Sequence, residues 1–526
     1  LGLVLAAMLL MAGGCQDLDV TNPNDPDRDR ALAQPEDVET MLGGTWTTWW
    51  RRLVDLSAVY NTMPTVGDEM TATYANSASL ELSSEPRPIF NNNPTADAHW
   101  LAHYPWRDFN EVLANSTDVL GVINDGLVLL TPGDDEGARV DNTERAVVYG
   151  TFLHGMSLGY LAMFYDRAYY VDETTDLEQG LPDLTPYADI RDSAVAKLEE
   201  AAAMASAAED FVLPFNWMFM EGVDNARLAQ IANSFAARVM VYSARTPEER
   251  EQVDWNKVIT LVEAGIGTAD ALDAEGWHAD DYGPEMSPST VDGFFWYRVQ
   301  NDGSFSAHAD YKLIGPSDVS GNYQNWLAAD VPDRIEFLIT TPDRRITGED
   351  GPTSDGKYFE YRENIQMTES RGRYHFSHYQ WNRRDGDYRN GKAHVMTVSE
   401  MNLILAEAHY RLGDLERAAE LINISRVGVG ELPPVTADGV PQAADCVPRP
   451  QEDPAGPCGT LLDALHYERM IEGAALDAVR TYLDRRGFGS LPSGTFLHLP
   501  IPGRELESLN MPVYTFGGVG GEGAAP

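Results

Sequence analysis

The run Gly155-Met156-Ser157-Leu158-Gly159 has the G-x-S-x-G spacing that sets a nucleophilic serine on a tight turn between a strand and a helix. Its context is helical, however. Tyr149, Phe152, Leu153, Met156, Tyr160, Met163 and Phe164 follow one apolar period of 3.6 straight through the motif. Gly155 and Gly159 are therefore read as small residues that let helices approach, and an exported hydrolase using Ser157 is the competing reading. Two histidine pairs invite metal chemistry: His99 and His103 in HWLAH, and His375 and His378 in HFSHYQW. The first lacks a glutamate beside its first histidine and the second offers no defined third ligand, so neither matches a zinc protease, and partly exposed histidines near aromatics are expected instead. Asp25, Asp27 and Asp29, with Glu36 at the twelfth place, imitate a calcium loop, but Arg30 stands where the sharp turn needs glycine. With 82 acidic residues, close carboxylate pairs are inevitable and identify no glycosidase centre. No catalytic residue, cofactor or metal is expected.

Aromatic side chains are more informative, because exposed tryptophan and tyrosine faces stack on sugar rings or receive peptide side chains with little entropy lost. Candidates in loop-like settings are Tyr74 in MTATYANSAS, Trp296 and Tyr297 in DGFFWYRV, and Tyr323 and Trp326 in GNYQNWLAAD. Trp381 in HYQWNRRDGD is a further, weaker candidate. Core packing is the alternative for each.

The cysteines carry a different chemistry. Cys15 follows an apolar stretch, LGLVLAAMLLMA, and two glycines. That stretch is too short for a membrane span, which needs about 20 residues, and suits the apolar region of a secretory signal. A cysteine directly after the small residues resembles a bacterial lipobox, with Ala12 in place of the usual leucine. On this reading residues 1–14 are an incomplete signal peptide, Cys15 is the acylated first residue, and residues 15–35 form a tether; ordinary secretion with a free Cys15 is the alternative. Cys446 and Cys458 flank a Pro- and Gly-rich segment, and in an exported chain a disulfide between them would stabilise by roughly 3 kcal/mol. A metal pair is the weaker option, since no histidine or second cysteine pair lies near them at zinc spacing.

Composition narrows the partners. The chain has 526 residues, 43% of them hydrophobic, which is enough for a large core. Its net charge of -44 removes the phosphate neutralisation on which nucleic-acid binding depends and opposes adhesion to anionic lipid. Membrane attachment must then come from Cys15.

Helical periodicity positions these residues. Beyond the stripe through Ser157, helices are expected at YADIRDSAVAKLEEAAAMA, NARLAQIANSFAARVMVYSA, DWNKVITLVEAGI, SEMNLILAEAHYRLGDLERAAELINISRV and LLDALHYERMIEGAALDAVRTYLDRR. A first helix is expected from Pro35 and Glu36, which suit a first turn. In LILAEAHYRLGDLERAAELI, Gly413 and Asp414 separate two helices, and Ala406, Ala408, Ala418 and Ala419 let them approach, as in a tetratricopeptide unit. Residues 270–395 lack long helical stripes and read as ordered loops with a few short strands, the setting in which binding sites are usually found.

Together these segments resemble a SusD/RagB-type outer-membrane lipoprotein. The resemblance rests on CQDLDVTNPNDP, AHWLAHYPWRDFNEVLANSTDVL, MTVSEMNLILAEAHYRLGDLERAAELINISRVGVG, LHYERMIEGAALDA and FLHLPIPGRELESLNM. The usual EG.R step is altered, with Gly473 followed by Ala474 and Ala475. The resemblance implies a mainly α fold over residues 36–526, with four tetratricopeptide-like helix pairs and irregular ligand-binding loops around 270–395. It further implies a non-catalytic, surface-exposed protein of the outer membrane that captures glycan or peptide nutrients for a SusC-like TonB-dependent transporter. A lipid-anchored scaffold binding other proteins through its helix pairs is a third reading of the same residues.

Overall fold

A computed structural model describes residues 28–54, 59–71, 78–132, 138–176, 179–286, 308–363, 377–383, 391–449, 456–477 and 479–523. Cys15 and the calcium-like aspartates 25 and 27 lie outside them. A short helix (Arg28–Leu32) occupies the end of the segment read as tether. Helix α1 (Pro35–Val54) then starts on proline with Glu36 and Asp37 in its first turn and ends on Arg51 and Arg52, charges that suit the two ends of its dipole. Trp46, Trp49 and Trp50 lie on one face at spacings of three and four and are fully buried. Trp49 meets Tyr160 and Phe235 edge-on, at 5.3 and 5.9 Å between ring centres, which fixes α1 against two later helices.

The long helices follow in pairs. Helix α1 packs on α2 (His99–Asn124), α3 (Thr143–Phe164) on α4 (Tyr187–Ala207), and α5 (Asn225–Tyr242) on α6 (Trp255–Glu263). The fourth pair, α7 (Val398–Arg411) with α8 (Leu415–Gly428), turns at Gly413, whose φ of 88° lies in the left-handed region. Ala406, Ala408, Ala418 and Ala419 are all buried between these two helices and their neighbours. Side-chain oxygens of Asp224, Asp254, Thr397 and Asp414 cap α5 to α8, each accepting a backbone N–H from the first turn. Helix α3 is buried on every side rather than along one stripe. A methyl group on Gly155 would lie 2.9 Å from the Leu198 backbone nitrogen, and one on Gly159 2.5 Å from Val239, so both glycines permit close packing.

One element differs from the sequence reading. The expected last helix is broken: α9 (Leu461–Gly473) ends at Ala474, whose ψ of 138° is extended, and α10 (Arg480–Phe488) restarts beyond Ala475, whose φ is 57°. The acids and arginines of this stretch are also buried. Arg345 pairs with Glu468 and Glu472, Arg250 with Glu407 and Asp484, and Arg238 with Glu400. Burial opposes ionisation of Glu400, but the Arg238 and Arg480 guanidinium groups overcome it and hold its carboxyl at about 2.

The strands are short antiparallel pairs: β1 (Leu130–Pro132) with β2 (Arg139–Asp141), β3 (Arg167–Tyr169) with β4 (Leu184–Pro186), β5 (Glu285–Met286) with β8 (Gly391–Lys392), and β6 (Phe359–Tyr361) with β7 (Tyr379–Trp381). Besides the main core among the helix pairs, the loop region has its own core, built on Tyr311, Tyr323, Trp326, Tyr358 and Trp381 and packed against Tyr467, Met470 and Ile471 of α9.

Candidate functional site

The loop core positions the candidate site, and hairpin β6–β7 is its centre. Phe359 pairs with Trp381 and Tyr361 with Tyr379. The inner end is dry, since Phe359 and Trp381 are buried and meet edge-on at 5.2 Å. At the outer end Tyr361 is half-buried and stacks on His378 at 5.5 Å. The Tyr379 hydroxyl receives the Ile339 N–H at 2.9 Å, tying the hairpin to the preceding segment. There Phe337 stacks on Tyr311 at 4.2 Å, with Ile335 and Leu338 exposed beside it. The result is an aromatic and apolar face carried by loops on a rigid hairpin, an arrangement suited to stacking on a flat ligand. Burial and the neighbouring His378 hold the His308 imidazole down to about 4, so this residue adds no charge at neutral pH.

Tyr323, Trp326 and Trp381, expected as exposed stacking faces, are instead 0%, 5% and 2% exposed. Tyr323 and Trp326 stack on one another at 6.2 Å, and the Arg334 guanidinium covers the remaining Trp326 face at 4.6 Å. A ligand ring has no access to these three, which act as core. Tyr74, Trp296 and Tyr297 lie outside the described residues. The residues flanking their segments meet at the hairpin: the Thr71 N–H donates to the His308 carbonyl at 3.1 Å, and Ala309 donates to Tyr379 at 2.8 Å.

No protein-family model matches the sequence, and no curated protein matches it. Solved structures do match. A SusD homologue from Bacteroides uniformis superposes with a TM-score of 0.53 at 12% identity, over 91% of this chain and 94% of that one. The corresponding values for a SusD superfamily protein from Bacteroides vulgatus are 0.52, 14%, 91% and 97%. A protein from the same organism named as a candidate sugar-binding protein gives 0.53, 14%, 93% and 99%. The chain has the SusD-like fold.

Within this SusD-like scaffold the catalytic lures become structural. Ser157 is fully buried in the middle of α3, with helix rather than a strand-to-helix turn on either side of it, and its hydroxyl donates to the Phe109 carbonyl. His99 and His103 stack ring on ring at 5.2 Å, and His99 is fully buried rather than partly exposed. His378 is the partly exposed histidine near aromatics that the sequence suggested, while His375 lies outside the described residues. Cys446 and Cys458 form a disulfide with their Cα atoms 5.9 Å apart. Among the described residues no cluster of three or more His, Cys, Asp or Glu side chains fits a metal ion. The sequence reading passed over Tyr361 and Phe337. The available signal was the alternation Ile335, Phe337, Ile339, in which only the last is buried.

Proposed function

We propose that this protein is a non-catalytic surface lipoprotein that captures glycan, or peptide, nutrients and passes them to a TonB-dependent transporter of the outer membrane. The observation that carries this reading is a loop-borne aromatic face, Tyr361 with His378 and Phe337 nearby, on a SusD-like fold that matches known structures over about nine-tenths of the chain. Stacking on such a face supplies affinity without demanding charge, which suits neutral sugars and an acidic protein. The proposed anchor is acylated Cys15, where each buried methylene adds about 0.8 kcal/mol of membrane affinity. The burial of Ser157 and the use of its hydroxyl within the core weigh against the hydrolase reading.

The test is affinity purification of the tagged, full-length protein from mild-detergent membranes of its host. A TonB-dependent barrel in near-equal amount, together with release of a Cys15→Ser variant into the soluble fraction, is the expected result. Reproducible absence of the barrel from intact protein would overturn the transport role, and continued membrane attachment of Cys15→Ser would overturn the anchor.

A further inference from the structure

A cleft of about 430 Å³ lies on the side of α2, closed by Tyr169, Val171, Leu181 and Glu505. These elements carry none of the Tyr361–His378 face, so the cleft stands independently of the glycan reading. Its floor is apolar and rigid. Trp106 is held edge-on by Tyr165 at 5.0 Å and by Tyr169 at 5.7 Å, and Leu113 and Val171 complete the surface. Leu181 stands at the cleft with 57% exposure.

The polar groups around this floor are unequal in sign. Glu111, Asp118 and Glu505 contribute three carboxylates. The cation among the lining residues, Arg107, lies 2.6 Å from Asp108, a carboxylate that it shares with the buried Arg52, so the three carboxylates face one cation. His103 adds no positive charge at neutral pH, because burial and the nearby Arg504 and Arg107 lower its pKa. Two lining groups also have buried polar atoms with no hydrogen-bond partner among the described residues: the Thr117 hydroxyl, on a residue 8% exposed, and His103 Nδ1. A buried hydroxyl without a partner is unfavourable unless a ligand or water completes it.

We propose that this cleft binds an ammonium or guanidinium group carried on an apolar stem, of the kind a lysine or arginine side chain of a peptide presents. The stem lies along Trp106, Leu113 and Val171, as long cationic side chains lie on apolar surfaces elsewhere, and the charged head reaches the carboxylates. A neutral alcohol of the same length gains the floor but loses the charge attraction. An anionic ligand is repelled.

The experiment is calorimetric titration of the full chain with n-hexylamine, n-butylamine, n-hexanol and Nα-acetyl-lysine amide at low salt. Hexylamine is expected to bind saturably, with affinity falling about fourfold for each methylene removed and about fivefold on replacing the amine by the alcohol. Ala114→Trp, at an exposed α2 position lining the cleft, is expected to abolish binding while leaving thermal unfolding unchanged. Glu111→Gln is a second variant, expected to narrow the gap between amine and alcohol. Equal affinity for hexanol, absence of chain-length dependence, or binding that survives a folded Ala114→Trp would each overturn the proposal. Binding of hexylamine without acetyl-lysine amide would overturn the peptide as the source and leave free amines as the ligand.

Discussion

Glu69 Oε1 accepts the backbone N–H of Ala475 at 2.7 Å, joining positions 406 residues apart in sequence inside the core. Burial pushes this carboxyl up to about 7 from its ordinary 4.5, with Asp477 adding to the effect and Thr481, the Ala475 N–H and Arg480 opposing it. A raised folded pKa means that the neutral form is favoured on folding. Its stabilisation is fully present below pH 4.5 and is lost as the pH rises through about 7. Glu69→Gln keeps the shape without the charge. The variant is expected to match the wild type near pH 4 and to exceed it above pH 7 by up to about 3 kcal/mol. Urea midpoints across pH 4 to 8 read this directly, and a difference that does not change with pH would refute the assignment. Glu407 does not interfere: although burial opposes it, Arg250 draws its carboxyl down to about 2, so its contribution is lost only as the pH falls below the ordinary range.

Arg345 joins the loop region to α9. It is fully buried and donates to Asp343 at 2.7 Å, to Glu468 at 3.0 Å and to Glu472 at 3.0 Å. Replacing it with methionine fills similar space but leaves carboxylates buried without their main partner, which costs about 3 to 5 kcal/mol in comparable cases. Arg345→Met is therefore expected to lower the urea midpoint sharply, and adding Glu468→Gln to recover part of the loss. A loss below about 1 kcal/mol would mean that Arg383 and Arg426, which approach Glu472 and Glu468 at 3.3 and 3.7 Å, suffice without it.

The helix pairs were legible because each signal is local. Thr397 and Asp414 announce helix starts, Gly413 a turn, and the alanines of α7 and α8 a close approach. The break after Gly473 was not legible, since Ala474 and Ala475 are good helix formers and only tertiary contacts, Glu69 among them, hold the chain out of the helix. The loop aromatics failed for a related reason. Tyr323 lies on a helix of seven residues, too short for a period, and its ring fits against Gly315, where a Cβ would sit 2.3 Å from it. Nothing in the spacing distinguishes such a buried ring from the half-exposed Tyr361.

Ser157 separates a structural hydroxyl from a catalytic one. Ser157→Ala removes a buried hydrogen bond to Phe109, so a stability loss of about 1 kcal/mol is expected. Ligand capture should not change. Gly155→Ala, two residues earlier, forces a methyl against the Leu198 backbone and should cost about 1 to 3 kcal/mol. If Ser157→Ala abolished an esterase or protease activity of the purified protein while its melting temperature held, the hydrolase reading would replace the structural one.

The buried and half-exposed aromatics make opposite predictions. Trp326 and Trp381 belong to the loop core, so Trp326→Ala and Trp381→Ala are expected to lose about 3 to 5 kcal/mol of stability through the cavities they leave. Tyr361 presents a half-exposed ring that His378 braces on the hairpin. Tyr361→Ala should leave stability nearly unchanged and weaken capture of the cognate ligand by about 1 to 3 kcal/mol, the scale of burying one aromatic face. Unfolding curves measured beside binding isotherms for the same three variants separate the two roles. If Tyr361→Ala destabilised the fold as much as Trp381→Ala and left binding intact, the Tyr361–His378 stack would be core support and the ligand face would have to lie elsewhere on the loops.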